Sequence, residues 1–197
     1  MIIMISGKQG SGKTTLANNL CVKARMSRIY AHPAGFAKAM RVVASGMEIC
    51  AKGQGCPLPE KMETRELMNF IATDWGRKMD PDFWIPPVRR DIKSIQNIWK
   101  TQPFYMITID DFRCKNEAHA LDDLDDIFRI RLSCPQKYRQ KRAKYWGDPD
   151  HCSEVDLDDY DNFDLKLDTL AFCSDTNAKV AYEAIMEKQL GDKCGVR

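Results

Sequence analysis

Met1-Ile2-Ile3-Met4-Ile5-Ser6-Gly7-Lys8-Gln9-Gly10-Ser11-Gly12-Lys13-Thr14 opens the chain, and its reading decides the fold. The first six residues are apolar or small and stop abruptly at a glycine, the pattern of an interior parallel strand buried on both faces. Gly7 to Thr14 then satisfies G-x-x-x-x-G-K-S/T in full, between that strand and a helix, where such a loop must lie. Its glycines let successive backbone N–H groups turn inward onto phosphate oxygens, and the following helix adds the positive end of its dipole. Gly7, Lys8, Gln9, Gly10, Ser11, Gly12, Lys13, Thr14 and Thr15 are therefore the expected ATP-binding residues, with Lys13 on the β- and γ-phosphates and the Thr14 hydroxyl on Mg²⁺.

Working outward, Leu16, Ala17, Leu20, Cys21 and Ala24 recur at helical steps and predict a helix from Lys13 to about Arg25. A short strand is expected at Arg28 to Ala31, ahead of His32-Pro33, and a helix at Phe36 to Glu48. Cys50 to Pro59 is broken by Gly53, Gly55, Pro57 and Pro59 and reads as a surface loop. Helical spacing resumes over Thr64 to Thr73 and Phe83 to Trp99, where Pro86-Pro87 suits a first turn. Phe104 to Ile109 is a second strongly apolar run, closed by Asp110-Asp111. Ile127 to Leu132 and Leu165 to Leu170 are further strand candidates, and Ser174-Asp175-Thr176 caps a last helix running to about Leu190. The alternation predicts an α/β, three-layer P-loop NTPase fold with a mostly parallel sheet flanked by helices. One domain is expected over 1–197, with an acceptor region at 35–100 and a lid at 134–163, where Arg, Lys, Asp and Tyr outnumber core-forming residues.

Composition narrows the class. The chain has 44% hydrophobic and 29% charged residues and a formal charge of +2, with acidic and basic residues intermixed, which gives no footprint for nucleic acid. No apolar run approaches the roughly 18 residues of a membrane span. The opening run lacks a basic leader and reads as strand, not signal peptide. Eight cysteines show no C-x-x-C pair and no zinc-type spacing, so reduced structural thiols and a cytoplasmic setting are expected. The expected partners are small-molecule nucleotides, with no nucleic acid and no membrane, and a homodimer is left open.

Asp110 and Asp111 follow an apolar strand, at the carboxyl end where ligands of open α/β sheets gather. A carboxylate there can hold Mg²⁺ or its water shell. Arg139 and Arg142 stand three apart among other basic residues, so a helix would present both on one side as a clamp for a transferring phosphoryl.

Four stretches carry a resemblance that spans most of the chain. They are the glycine loop; Ala72-Thr73-Asp74-Trp75-Gly76-Arg77 with Asp80-Pro81-Asp82-Phe83-Trp84; Thr108-Ile109-Asp110-Asp111-Phe112-Arg113 with Asn116-Glu117-Ala118; and His151-Cys152-Ser153-Glu154. Together they are similar to the deoxynucleoside monophosphate kinases encoded by tailed bacteriophages, and Phe36-Ala37-Lys38 matches a further segment of that family. The resemblance implies transfer of the γ-phosphoryl of ATP to a deoxynucleoside 5′-monophosphate, with Mg²⁺ as cofactor, in a host cytoplasm. It implies Asp111, not Asp110, as the acidic residue of the reaction centre and metal ligand beside Thr14; with Lys13 of the loop and the pair Arg139 and Arg142 it completes the expected catalytic set. It places Arg77 and Arg113 on the acceptor, together with Phe36, Lys38, Arg65, Thr73, Trp84, Glu117, Ser153 and Glu154, the Phe36 and Trp84 rings lying near the base. Cys114-Lys115 stands where that family has Phe-Pro, which leaves base selectivity open. Two other readings stay open: a related small-molecule kinase acting on dephospho-coenzyme A or another nucleotide, and an ATP-binding regulatory protein.

Overall fold

A computed structural model describes residues 1–55, 64–124, 126–143, 146–171 and 173–194, without the side chains of 51–52, 64–66 and 192–194. Strand β1 (Ile2–Gly7) is buried along its whole length, as an unbroken apolar run requires. It lies between β3 (Tyr105–Phe112) and β4 (Ile127–Ser133), with β2 (Tyr30–Ala34) beyond β3 and β5 (Leu165–Asp168) beyond β4. The described strands thus form one sheet in the order β2-β3-β1-β4-β5, and every pairing is parallel.

Helices α1 (Lys13–Met26), α2 (Ala37–Gly53), α3 (Thr64–Asn69), α4 (Ile85–Trp99), α5 (Lys115–His119), α6 (Gln136–Arg142), α7 (Cys152–Val155) and α8 (Ser174–Cys194) connect and follow the strands. Alternation along the strands divides the core in two. Ile3, Ile5 and Ile130 meet Leu20 of α1 and Ile185 of α8 on one face, while Ile2, Met4 and Ile109 meet Val88 and Ile92 of α4 on the other. Three layers follow, as the α/β pattern predicts. No helix among the described residues is long and apolar enough to cross a membrane.

Several boundaries differ from the sequence reading, each for a physical reason. Strand β2 starts at Tyr30 and runs through His32-Pro33. The proline is tolerated because β2 pairs only with β3 and lies at a sheet edge, where a missing N–H costs little. Helix α2 continues to Gly53, so the first part of the expected loop is helical; 56–59 lie outside the described residues. Strand β3 takes in Asp110, Asp111 and Phe112, past the expected end at Ile109, with an irregularity in its pairing with β1 between Met4 and Ser6. The segment expected as a surface lid is anchored in its second half: Leu157 is buried, and Tyr160 and Phe163 pack against Phe112.

A third cluster joins Met40 and Ala44 of α2 to Leu67, Ile71 and Trp84. Here α3 passes into a π-helical stretch, Phe70–Arg77, ahead of the turn that leads to α4. Trp84 is 3% exposed and its Nε1–H donates to the Ala72 carbonyl at 3.1 Å. Its indole lies so close to Gly76 that an added Cβ would be 2.6 Å from Nε1. Gly76→Ala should therefore lower the unfolding free energy by about 1–3 kcal/mol, read from urea titration; an unchanged midpoint would show that the indole moves aside freely.

Candidate active site

The loop between β1 and α1 depends on Gly10. Its φ is 75°, a left-handed conformation that favours glycine, and a Cβ there would lie 2.5 Å from the Arg139 carbonyl oxygen. Arg139 is 6% exposed and donates to the Cys134 carbonyl at 2.9 Å and the Gln9 carbonyl at 3.1 Å, with its guanidinium over the Trp146 ring. Arg142 turns elsewhere, donating to Thr169 Oγ1 at 3.3 Å, and lines a cavity of about 450 Å³ together with Ser11, Gly12, Thr15 and Asn177. The two arginines expected to clamp one phosphoryl are thus separated: backbone carbonyls engage one, and the cavity beside the loop receives the other. The Ser11 hydroxyl is fully buried without a hydrogen-bond partner.

Lys13 is almost wholly buried and folds back on the loop, donating from Nζ to the Gly7 carbonyl at 2.5 Å and the Lys8 carbonyl at 3.0 Å. Burial, and then the charges of Arg113 and Arg131, push its pKa down to about 7, against the upward pull of Glu154 and Asp110. Thr14 Oγ1 donates to Asp110 Oδ2 at 2.5 Å. Asp111, the next residue along the strand, faces away from Thr14: its carboxylate accepts the N–H groups of Phe36 at 3.0 Å and Ala37 at 2.7 Å, at the start of α2. Burial pushes the Asp111 carboxyl up, opposed by those two N–H groups. The pairing expected between Thr14 and Asp111 is therefore made by Asp110.

From the other side, a chain of charged contacts leads into the loop. Arg77, the last residue of the π-helical stretch, donates to Glu117 Oε1 at 2.6 Å. Glu117 is 2% exposed, and its Oε2 accepts the Arg113 and Cys114 N–H groups at 2.8 and 3.0 Å. Burial raises the Glu117 carboxyl against the pull of Arg77. The Arg113 guanidinium donates to Glu154 Oε1 at 2.5 Å and to the Ser153 carbonyl at 3.3 Å. Glu154 Oε2 in turn accepts the Gln9 N–H of the loop at 2.6 Å. Burial alone would raise Glu154, yet Arg113, the Gln9 N–H and Lys13 hold it below the usual carboxylate range.

The remaining expected residues lie as follows. Phe36 and Trp84 are core residues, so neither ring offers a face to a ligand. Lys38 donates to Asp91 at 2.5 Å, Thr73 stands half-buried on the π-helical stretch, and Ser153 bonds the His151 ring that caps α7. The Arg65 side chain lies outside the described residues. Two residues that no motif marked join the site. Arg131 donates to Ser6 Oγ and to Asp158 Oδ1, both at 2.9 Å, and Asp158 Oδ2 accepts Lys8 Nζ at 2.6 Å. Arginines at alternate positions of the apolar run Ile127 to Leu132 were the available signal for Arg131. Asp158, in an acidic stretch that resembles a solvated turn, had none.

No group of three metal-binding His, Cys, Asp or Glu side chains exists among the described residues. Thr14 and Asp110 offer one hydroxyl and one carboxylate, hard oxygen donors of the kind that hold Mg²⁺ when phosphate and water complete its shell.

Lys13 also sets a stability profile. Its folded pKa of about 7 lies below the unfolded 10.5, so between these values the unfolded chain binds more protons and the Lys13 contribution to stability rises with pH. The unfolding free energy of the protein relative to Lys13→Met should climb above pH 7 by at most about 1.4 kcal/mol per pH unit. A pH-independent difference would show that the ammonium is not desolvated.

No protein-family profile matches the sequence, and no curated protein matches it. Solved structures do. The APS kinase of Mycobacterium tuberculosis in complex with AMPPNP and APS superposes with a TM-score of 0.50 at 14% identity, covering 94% of this chain and 97% of that one. A sugar kinase from a Janibacter species gives a TM-score of 0.50 at 16% identity, covering 93% of each chain. The chain has the fold of P-loop kinases.

Proposed function

We propose that the protein transfers the γ-phosphoryl of ATP to the 5′-phosphate of a deoxynucleoside monophosphate. The observation that carries the reading is the meeting, at the carboxyl end of the sheet, of a complete phosphate loop with three arginines beyond it: Arg77, Arg113 and Arg131. A dianionic acceptor approaching a triphosphate needs that much fixed positive charge. The fold shared with the APS and sugar kinases supports ATP as donor, and the stretches around Arg77 and Arg113 support a deoxynucleotide acceptor.

The donor base enters the cavity beside Gly12 and Thr15, with Arg142 at its rim, and the phosphates lie along the loop amides. Lys13 leaves the Gly7 and Lys8 carbonyls for the β- and γ-phosphates. Thr14 and Asp110 would hold Mg²⁺, which would supply charge neutralisation at the terminal phosphates. An acceptor phosphate oxygen forms a bond to the γ-phosphorus in line as the bond to the β-phosphate oxygen breaks, and ADP leaves. Arg139 acts on the loop through its carbonyl contacts, and Asp111 holds the start of α2 in register. The acceptor region is assigned to 35–100, and the anchoring of Leu157, Tyr160 and Phe163 confines the lid within 134–163 to the part before Leu157.

A hydroxyl acceptor, such as a sugar or dephospho-coenzyme A, is the second reading. It calls for a general base, but Asp111 is engaged by two backbone N–H groups and Glu154 by Arg113. A phosphate acceptor needs no base, which favours the first reading.

Assays of ATP consumption against deoxynucleoside monophosphates, dephospho-coenzyme A and sugars test the assignment; turnover with the non-phosphate acceptors alone would overturn it. Lys13→Ala should lower kcat by at least about a hundredfold with the fold intact. Asp110→Asn should cost more activity than Asp111→Asn at saturating Mg²⁺ and be partly relieved by Mn²⁺, whereas Asp111→Asn should act chiefly on stability and acceptor KM. The reverse order would return the metal to Asp111.

A further inference from the structure

Glu154 sets a buried carboxylate directly against the phosphate loop. Its carboxylate is 6% exposed, it accepts a loop N–H at 2.6 Å, and it neutralises Arg113. Gln9, which supplies that N–H, precedes the loop residues Ser11 and Gly12 that line the base cavity. A phosphate chain entering from that cavity meets Lys13, which serves the β- and γ-phosphates, and reaches the Gln9 end of the loop last. The same short segment places Asp158 between Lys8 and Arg131. Two carboxylates thus answer three cations beside the loop, and Glu154 sits at its Gln9 end.

We propose that Glu154 is a specificity-determining residue that reads the third donor phosphate: a triphosphate displaces its carboxylate from Gln9 and frees Arg113 for the acceptor, and a diphosphate leaves both in place. This rests on the phosphotransferase reading above. The consequence is discrimination between ATP and ADP as loop occupants, and acceptor binding that follows the donor. The displacement is driven by exchange of one anion for another with more charge and more acceptor oxygens, and Lys13 and Arg113 both favour the exchange.

Calorimetry of AMPPNP and ADP with the protein and with Glu154→Gln tests this. The amide keeps the shape and removes the charge, so the variant should bind AMPPNP about tenfold more tightly with the affinity for ADP unchanged. Equal changes for both nucleotides, or weaker AMPPNP binding, would overturn the proposal and leave the kinase reading standing. If the protein itself binds neither nucleotide, both fall. Should Glu154→Gln fail to fold, amide hydrogen exchange on the unmutated protein decides: AMPPNP, and not ADP, should speed exchange over residues 152–159, and equal behaviour with the two nucleotides would overturn the proposal.

Discussion

Positive charge gathered in a half-buried place must be answered by something. Lys13, Arg113 and Arg131 converge at the carboxyl end of the sheet, where the backbone N–H groups of the loop add to the same sign. Cations that close repel one another and lose hydration. Carboxylates of this chain meet the demand: Asp110 at Thr14, Glu154 at Arg113, Asp158 at Arg131 and Glu117 at Arg77. The local structure is organised by this balance, from the carboxyl end of β3, where Asp110 meets Thr14, to the short α7 that carries Glu154.

The fold was legible because its signals are local. A strand, a glycine loop and a helix within the first 26 residues suffice to set the sheet order's centre, and hydrophobic periodicity supplies the layers. The candidate site was legible wherever a motif fixes a backbone position. Thr14 and Lys13 are held by the loop, and Arg77 and Arg113 by the π-helical stretch and the end of β3. What sequence could not supply is direction. Asp110 and Asp111 are equivalent as letters, and only the pleat of β3 and its irregular pairing with β1 decide which of them meets Thr14. Likewise a spacing of three said that Arg139 and Arg142 share a helical side, but not that the loop's carbonyls would take one of them.

Long-range polar contacts were the least visible. Glu154 lies 145 residues from Gln9 and Asp158 lies 150 from Lys8, and nothing periodic marks such pairs. Aromatic residues stood out for the opposite reason: Trp84 and Phe36 sit in stretches that resemble ligand-binding segments, yet both are core fillers, and the Trp84 indole bonds the Ala72 carbonyl of the π-helical stretch.

Edge strand β2 holds one more consequence. A sheet edge offers unpaired N–H and C=O groups to any passing extended chain. Pro33 deletes a donor from the β2 edge, and β5, at the opposite edge, has only four residues and exposes Lys166. Both margins are poor templates for strand addition, so the sheet has a built-in defence against aggregation by edge pairing, and replacing Pro33 with a β-branched residue would weaken it.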